Sequence, residues 1–81
     1  MSFFGFSYTW KDLMEDHQRF VLEYGSYSNP RKRVDMKTLH LLKKMLKHAL
    51  YIKMERKHIS DADLKQVDLI IEGIKGLGVT I

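Results

Sequence analysis

Four histidines, ten carboxylates and no cysteine are the groups with which this 81-residue chain could do chemistry. Without cysteine there is no thiolate nucleophile, no thiolate metal site and no disulfide. His40 and His48 lie two turns apart on a helix, about 12 Å along its axis, too far to share one metal ion. Glu55 and His58 have the Glu-x-x-His spacing of di-iron bundles, but such a centre needs a second pair and further inward carboxylates that the chain does not offer. His17 falls in the middle of an apolar helix face. It reads either as a ligand or proton-sensitive switch, or more plainly as a half-buried histidine hydrogen-bonded to backbone. No serine occupies a recognisable nucleophile turn. Asp12, Glu15, Asp16 and Glu23 fall together on an outer helix face, whereas acid–base carboxylates must converge in a pocket. Gly73-Ile-Lys-Gly-Leu-Gly78 imitates a phosphate loop, yet it follows a helix instead of joining a strand to one. The expectation is a chain with no catalytic residue, no metal, no cofactor and no enzymatic activity.

Charge is the stronger signal. The net charge is +4, but it is unevenly placed. Residues 1–30 carry two basic and four acidic groups, residues 31–58 ten and two, and residues 59–81 two and four, giving −2, +8 and −2. On a helical wheel Lys37, His40, Lys43, Lys44, Lys47 and Tyr51 share the side opposite a leucine-rich face, and Arg31, Lys32 and Arg33 immediately precede that helix. Cations at a helix amino end oppose the helix dipole. Their presence there suggests an anion nearby, such as phosphate on free backbone amides. A stripe about three turns long can follow several phosphates of a nucleic-acid backbone, and Tyr51 can stack on an unpaired base. The competing reading is a solvated lysine face answered by the acidic neighbouring helices. Base-specific helix-turn-helix recognition does not fit. The third helix carries Asp61, Asp63, Asp68 and Glu72 against Lys65 and Lys75, and would be repelled by phosphates.

Three helices must position these groups, at about 10–24, 35–57 and 61–75. In the first, Trp10, Leu13, Met14, His17, Phe20, Val21 and Tyr24 form the apolar side, with Ser7 or Thr9 as cap and Gly25 as the stop. Ser26-Tyr-Ser-Asn-Pro30 is a loop. The second helix starts at Asp35. Its leucines, Met45, Ala49 and Ile52 cover nearly half the circumference, wide enough to contact both neighbours. The third has Ser60 as cap, Asp63 three residues on, and Ile59 and Leu64 as a hydrophobic staple. Leu64, Val67, Ile70, Ile71 and Ile74 form its inner face. Phe4, Phe6, Tyr8 and Trp10 alternate, as do Val79 and Ile81, which suits a short extended strand at either terminus. The expected fold is all-α: one compact three-helix domain spanning 1–81, helix two central, helices two and three antiparallel and helix one crossing them.

Five of the nine aromatics, Phe3, Phe4, Phe6, Tyr8 and Trp10, lie in the first ten residues. They either fold back to complete a small core or dock on a protein partner or a second copy as an aromatic hot spot. Ala62, Gln66, Leu69 and Gly73 form a small-residue side of helix three that suits a dimer seam or receives the amino-terminal tail. Two functions follow. The first is a binding module for nucleic-acid backbone. The alternative is a protein-binding regulator, adaptor or inhibitor using the aromatic tail or the acidic face of helix one. Homo-oligomers would cut across both, with that acidic face pairing against the basic stripe of another copy. No run approaches the roughly 20 apolar residues of a membrane span. The first ten residues lack the basic lead of a signal peptide, so no membrane association and a cytoplasmic location are expected.

Overall fold

Each helix begins where a short polar side chain satisfies the otherwise unpaired amides of the first turn. The computed structural model describes residues 8–56 and 59–80. Helix α1 spans Trp10–Tyr24, α2 spans Met36–Glu55 and α3 spans Asp61–Gly76. Thr9 caps α1 with a full reciprocal box: its hydroxyl accepts from the Asp12 amide, and the Asp12 carboxylate accepts from the Thr9 amide at 2.8 Å. Asp35 caps α2 by accepting from the Thr38 amide at 2.8 Å. Ser60 caps α3 by accepting from the Asp63 amide at 3.2 Å.

The helix ends differ in how well their residues suit them. Gly25 ends α1 at φ +92°, and its amide donates to Val21 O at 2.8 Å. Helix α2 stops at Glu55, two residues short of the expected Lys57. Arg56 turns left-handed at φ 56° there, with its amide on Ile52 O. No glycine or asparagine marks that stop, so the end is hard to place from residue types.

Helix α2 packs against both α1 and α3, as its wide apolar arc predicts. The core joins Leu13, Phe20 and Tyr24 from α1, Leu42, Met45, Leu46 and Ala49 from α2, and Val67, Ile70, Ile71 and Ile74 from α3. Burying each large aliphatic or aromatic side chain stabilises the fold by about 1.5–3 kcal/mol. The Cα radius of gyration, 12.7 Å, is near the ~12 Å expected for a compact domain of this length. The fold is therefore all-α, a compact three-helix domain. No strand occurs among the described residues. Trp10 is the first residue of α1, not part of an alternating strand, and Val79 is buried against the core. Phe3, Phe4, Phe6 and Ile81 lie outside the described residues.

The inner face of α1 is rotated from the one its apolar residues suggest. Leu13, Asp16, Phe20 and Tyr24 are buried, while Trp10, Met14 and Val21 are half-buried. Asp16 is thus an inner residue, not a member of the outer acidic face. Two contacts account for the rotation. Lys44 of α2 and Tyr8 supply partners for the carboxylate. Tyr27, from the loop, covers the other flank: it stacks on Phe20 at 4.6 Å and on His17 at 5.5 Å. The Tyr27 side chain also lies against Gly73, where an added Cβ would come within 2.6 Å of its ring. Gly73 is therefore occupied by the loop tyrosine, so it is not an open seam for a second copy or for the amino-terminal tail.

Candidate nucleic-acid interface

The helix geometry brings one side of α2 outward as a row. Lys37, His40, Lys44, Lys47 and Tyr51 follow at alternating three- and four-residue steps, with Lys43 flanking them. From Lys37 to Lys47 the row is about 15 Å long. All six are exposed, Tyr51 to 57%. Among the described residues no carboxylate lies within ion-pair distance of Lys37, Lys43 or Lys47.

Lys44 differs from the rest of the row. Its ammonium is 3.2 Å from Asp16 Oδ2 and 5.4 Å from the centre of the Tyr8 ring. Tyr8 donates its hydroxyl to the same carboxylate oxygen at 2.6 Å and stacks on the His48 ring at 4.3 Å. Arg19 approaches the other oxygen at 3.7 Å. Burial and the hydrogen bond to Asp16 raise the Tyr8 phenol, so it stays a donor at neutral pH. Burial, with Lys47 and Lys44 nearby, lowers His48 and keeps its ring neutral. Lys44 therefore belongs first to an internal cluster and only at its exposed edge to the row. Asp16 is the residue that inspection by type misses. Its signal was positional: it stands three after Leu13 and four before Phe20, squarely between two core residues.

The Arg31-Lys32-Arg33 segment is placed differently from the expectation. Lys32 donates to Glu23 at 2.8 Å and lies 5.2 Å from the Tyr24 ring centre. The hydrogen bond to Glu23 raises its pKa. The Arg31 amide donates to Tyr24 O at 2.8 Å, and its guanidinium sits over Gly25, 3.3 Å from where a Cβ would be. Both cations thus serve the carboxyl end of α1, where the dipole is negative. The amino end of α2 already has its anion in Asp35, whose carboxyl is held below the usual range by the Thr38 hydrogen bonds. No external anion is needed to explain those charges. Arg33 is exposed, with no ion pair among the described residues.

The remaining candidates divide as follows. His17 bonds through Nδ1 to the Tyr27 hydroxyl at 2.8 Å, a side-chain partner where a backbone one was expected, and burial lowers its pKa. His58 lies outside the described residues. Tyr8 and Trp10 are half-buried and line a groove of about 430 Å³ with Tyr51, Ile52 and Ile59. Leu69, Ala62 and Gln66 are exposed on α3. No helix among the described residues is long and apolar enough to cross a membrane. No protein-family model, curated protein or solved structure matches this chain at a significant level.

Proposed function

We propose that this chain is a non-enzymatic module that binds nucleic-acid backbone through the outer side of α2. One observation carries the reading: Lys37, Lys43 and Lys47 project from one helix side with no ion pair among the described residues, Lys37 sensing only the charge of nearby Asp35. Arg19, Lys32, Lys44 and Lys53 form such pairs and Arg33 does not, so what distinguishes this row is the alignment of its cations along one helix side. Phosphates would supply the missing charge and release their condensed counterions on binding. Arg33 and the exposed edge of Lys44 extend the contact, while Arg31 and Lys32 play no more than a secondary part. The protein-binding alternative loses surface by comparison. Asp16 and Tyr8 are engaged with each other and Glu23 is held by Lys32, which leaves less of an acidic face on α1.

Fluorescence anisotropy with labelled oligonucleotides tests this. Three to four phosphate contacts on a duplex should weaken binding roughly 40- to 150-fold between about 50 and 200 mM salt. Absence of binding at the lower salt would return the row to a solvated face.

A further inference from the structure

We propose that the nucleic acid bound along α2 is single-stranded, and that the groove beside Tyr51 holds one of its unpaired bases. The inference rests on the backbone-binding reading and adds the class of strand. Tyr51 is its pivot, because it belongs both to the basic row and to the groove wall. Four residues, one turn and about 6 Å separate it from Lys47. A backbone tracking the lysines toward the carboxyl end of α2 therefore arrives at an aromatic ring that is 57% exposed.

The groove is walled mainly by aromatic and aliphatic side chains that suit a flat ring, with Thr9 and the opposite charges of Lys11 and Glu55 also lining it. Trp10 comes from the start of α1 and Tyr8 from just before it, Ile52 from α2 and Ile59 from the approach to α3. The volume, about 430 Å³, lies within the range of small-molecule pockets and exceeds what one base requires. Charge complementarity selects the occupant: the row that leads into the groove is cationic, so the apolar group delivered there is one tethered to a polyanion. Only an unpaired base offers its face in this way, since in a duplex each face is covered by its neighbours. Stacking accepts every base, so strand state is selected and sequence is not.

Trp10 is the only tryptophan and reports directly on the groove. Titration of the full chain with oligothymidylate should quench its emission, and a hairpin duplex of equal charge should not. Tyr51→Ala should lower affinity for the single strand about 5- to 150-fold while leaving duplex affinity, the salt slope and the helical circular dichroism unchanged. Trp10→Phe should retain most of the single-strand affinity, since a ring remains. Equal affinity for single strand and duplex, unaltered by Tyr51→Ala, overturns the inference and leaves backbone binding intact. Failure of both to bind at low salt removes the backbone reading and this inference with it. Emission that responds to deletion of residues 2–7 but not to oligothymidylate assigns the groove to the chain's own amino end, and overturns the inference as well.

Discussion

Two sets of cations lie before and along α2, and the fold treats them in opposite ways. Arg31 and Lys32, in the loop, are turned back onto Gly25, Tyr24 and Glu23 at the end of α1. Lys37, Lys43 and Lys47, on the helix, are turned outward with no ion pair among the described residues. The difference is geometric. A loop can bend until its charges reach the nearest negative group. A helix fixes its side chains by a 3.6-residue period, and the leucine face decides where the lysines point. Lys44 stands between the two sets, on the row yet close enough to α1 to reach Asp16. A run of basic residues in sequence is therefore not one site. The part whose direction is dictated by the core, with Arg33 beside it, is left available for a partner.

The largest expected effect breaks this comparison directly. Reversing Lys37, Lys43 and Lys47 to glutamate should abolish oligonucleotide binding at about 50 mM salt, where the parent binds. Reversing Arg31 and Lys32 should reduce it far less. Equal losses in anisotropy would show that total charge matters and placement does not. Lys44 is left out because a glutamate there would face Asp16 and disturb the fold. Asp16→Ala comes next: it strips Tyr8 and Lys44 of their shared acceptor and should cost about 1–3 kcal/mol of stability, read from urea unfolding. Oligonucleotide affinity should be equal or higher, since a negative charge disappears and Lys44 is released to the row.

Legibility in the sequence followed the same division. The three helices, the caps at Asp35 and Ser60, and the central place of α2 are all visible, because periodicity and capping are local signals; at α1 the same signals leave Ser7 and Thr9 both open, and the structure selects Thr9. The outward direction of Lys37, Lys43 and Lys47 followed from the same wheel. What escaped was set by contacts between distant residues. Asp16 was placed outside because of its charge, although its position between Leu13 and Phe20 is interior. Tyr27 stood in a loop with no periodicity to announce that it would seal His17, Phe20 and Gly73. The groove of Trp10, Tyr51 and Ile59 joins three separate stretches of chain, and nothing local to any one of them marks it.

Gly73→Ala sharpens the packing side of the comparison. Its Cβ would enter the Tyr27 ring, so a loss of about 1–3 kcal/mol is expected from overpacking, with oligonucleotide affinity unchanged when measured well below the unfolding temperature. Acid should act more gently. His17 and His48 both have pKa values lowered from 6.5, mainly by burial. The unfolded chain then takes up protons first, so stability is complete above pH 6.5 and declines as pH falls below it, until the folded-state values are reached. The slope is at most about 1.4 kcal/mol per pH unit for each histidine. Melting temperatures across that window should fall toward acid, and His17→Gln should shallow the fall.

The smallest effect has the opposite sign and separates charge from position most cleanly. Arg56 adopts a left-handed conformation at φ 56° to end α2, which costs an ordinary residue about 1 kcal/mol or more. Glycine has no such penalty, so Arg56→Gly should raise stability by up to about 1 kcal/mol, with a higher urea midpoint and an unchanged slope. The substitution also removes a cation close to the end of the basic row. By the helical period, however, residue 56 falls more than a quarter turn away from the line joining Lys37, Lys47 and Tyr51. If placement governs binding, affinity for oligonucleotides should stay within about twofold despite the lower net charge. A loss comparable to that of one row lysine would mean that the whole basic segment acts as a diffuse field, and the distinction between directed and undirected cations would no longer hold.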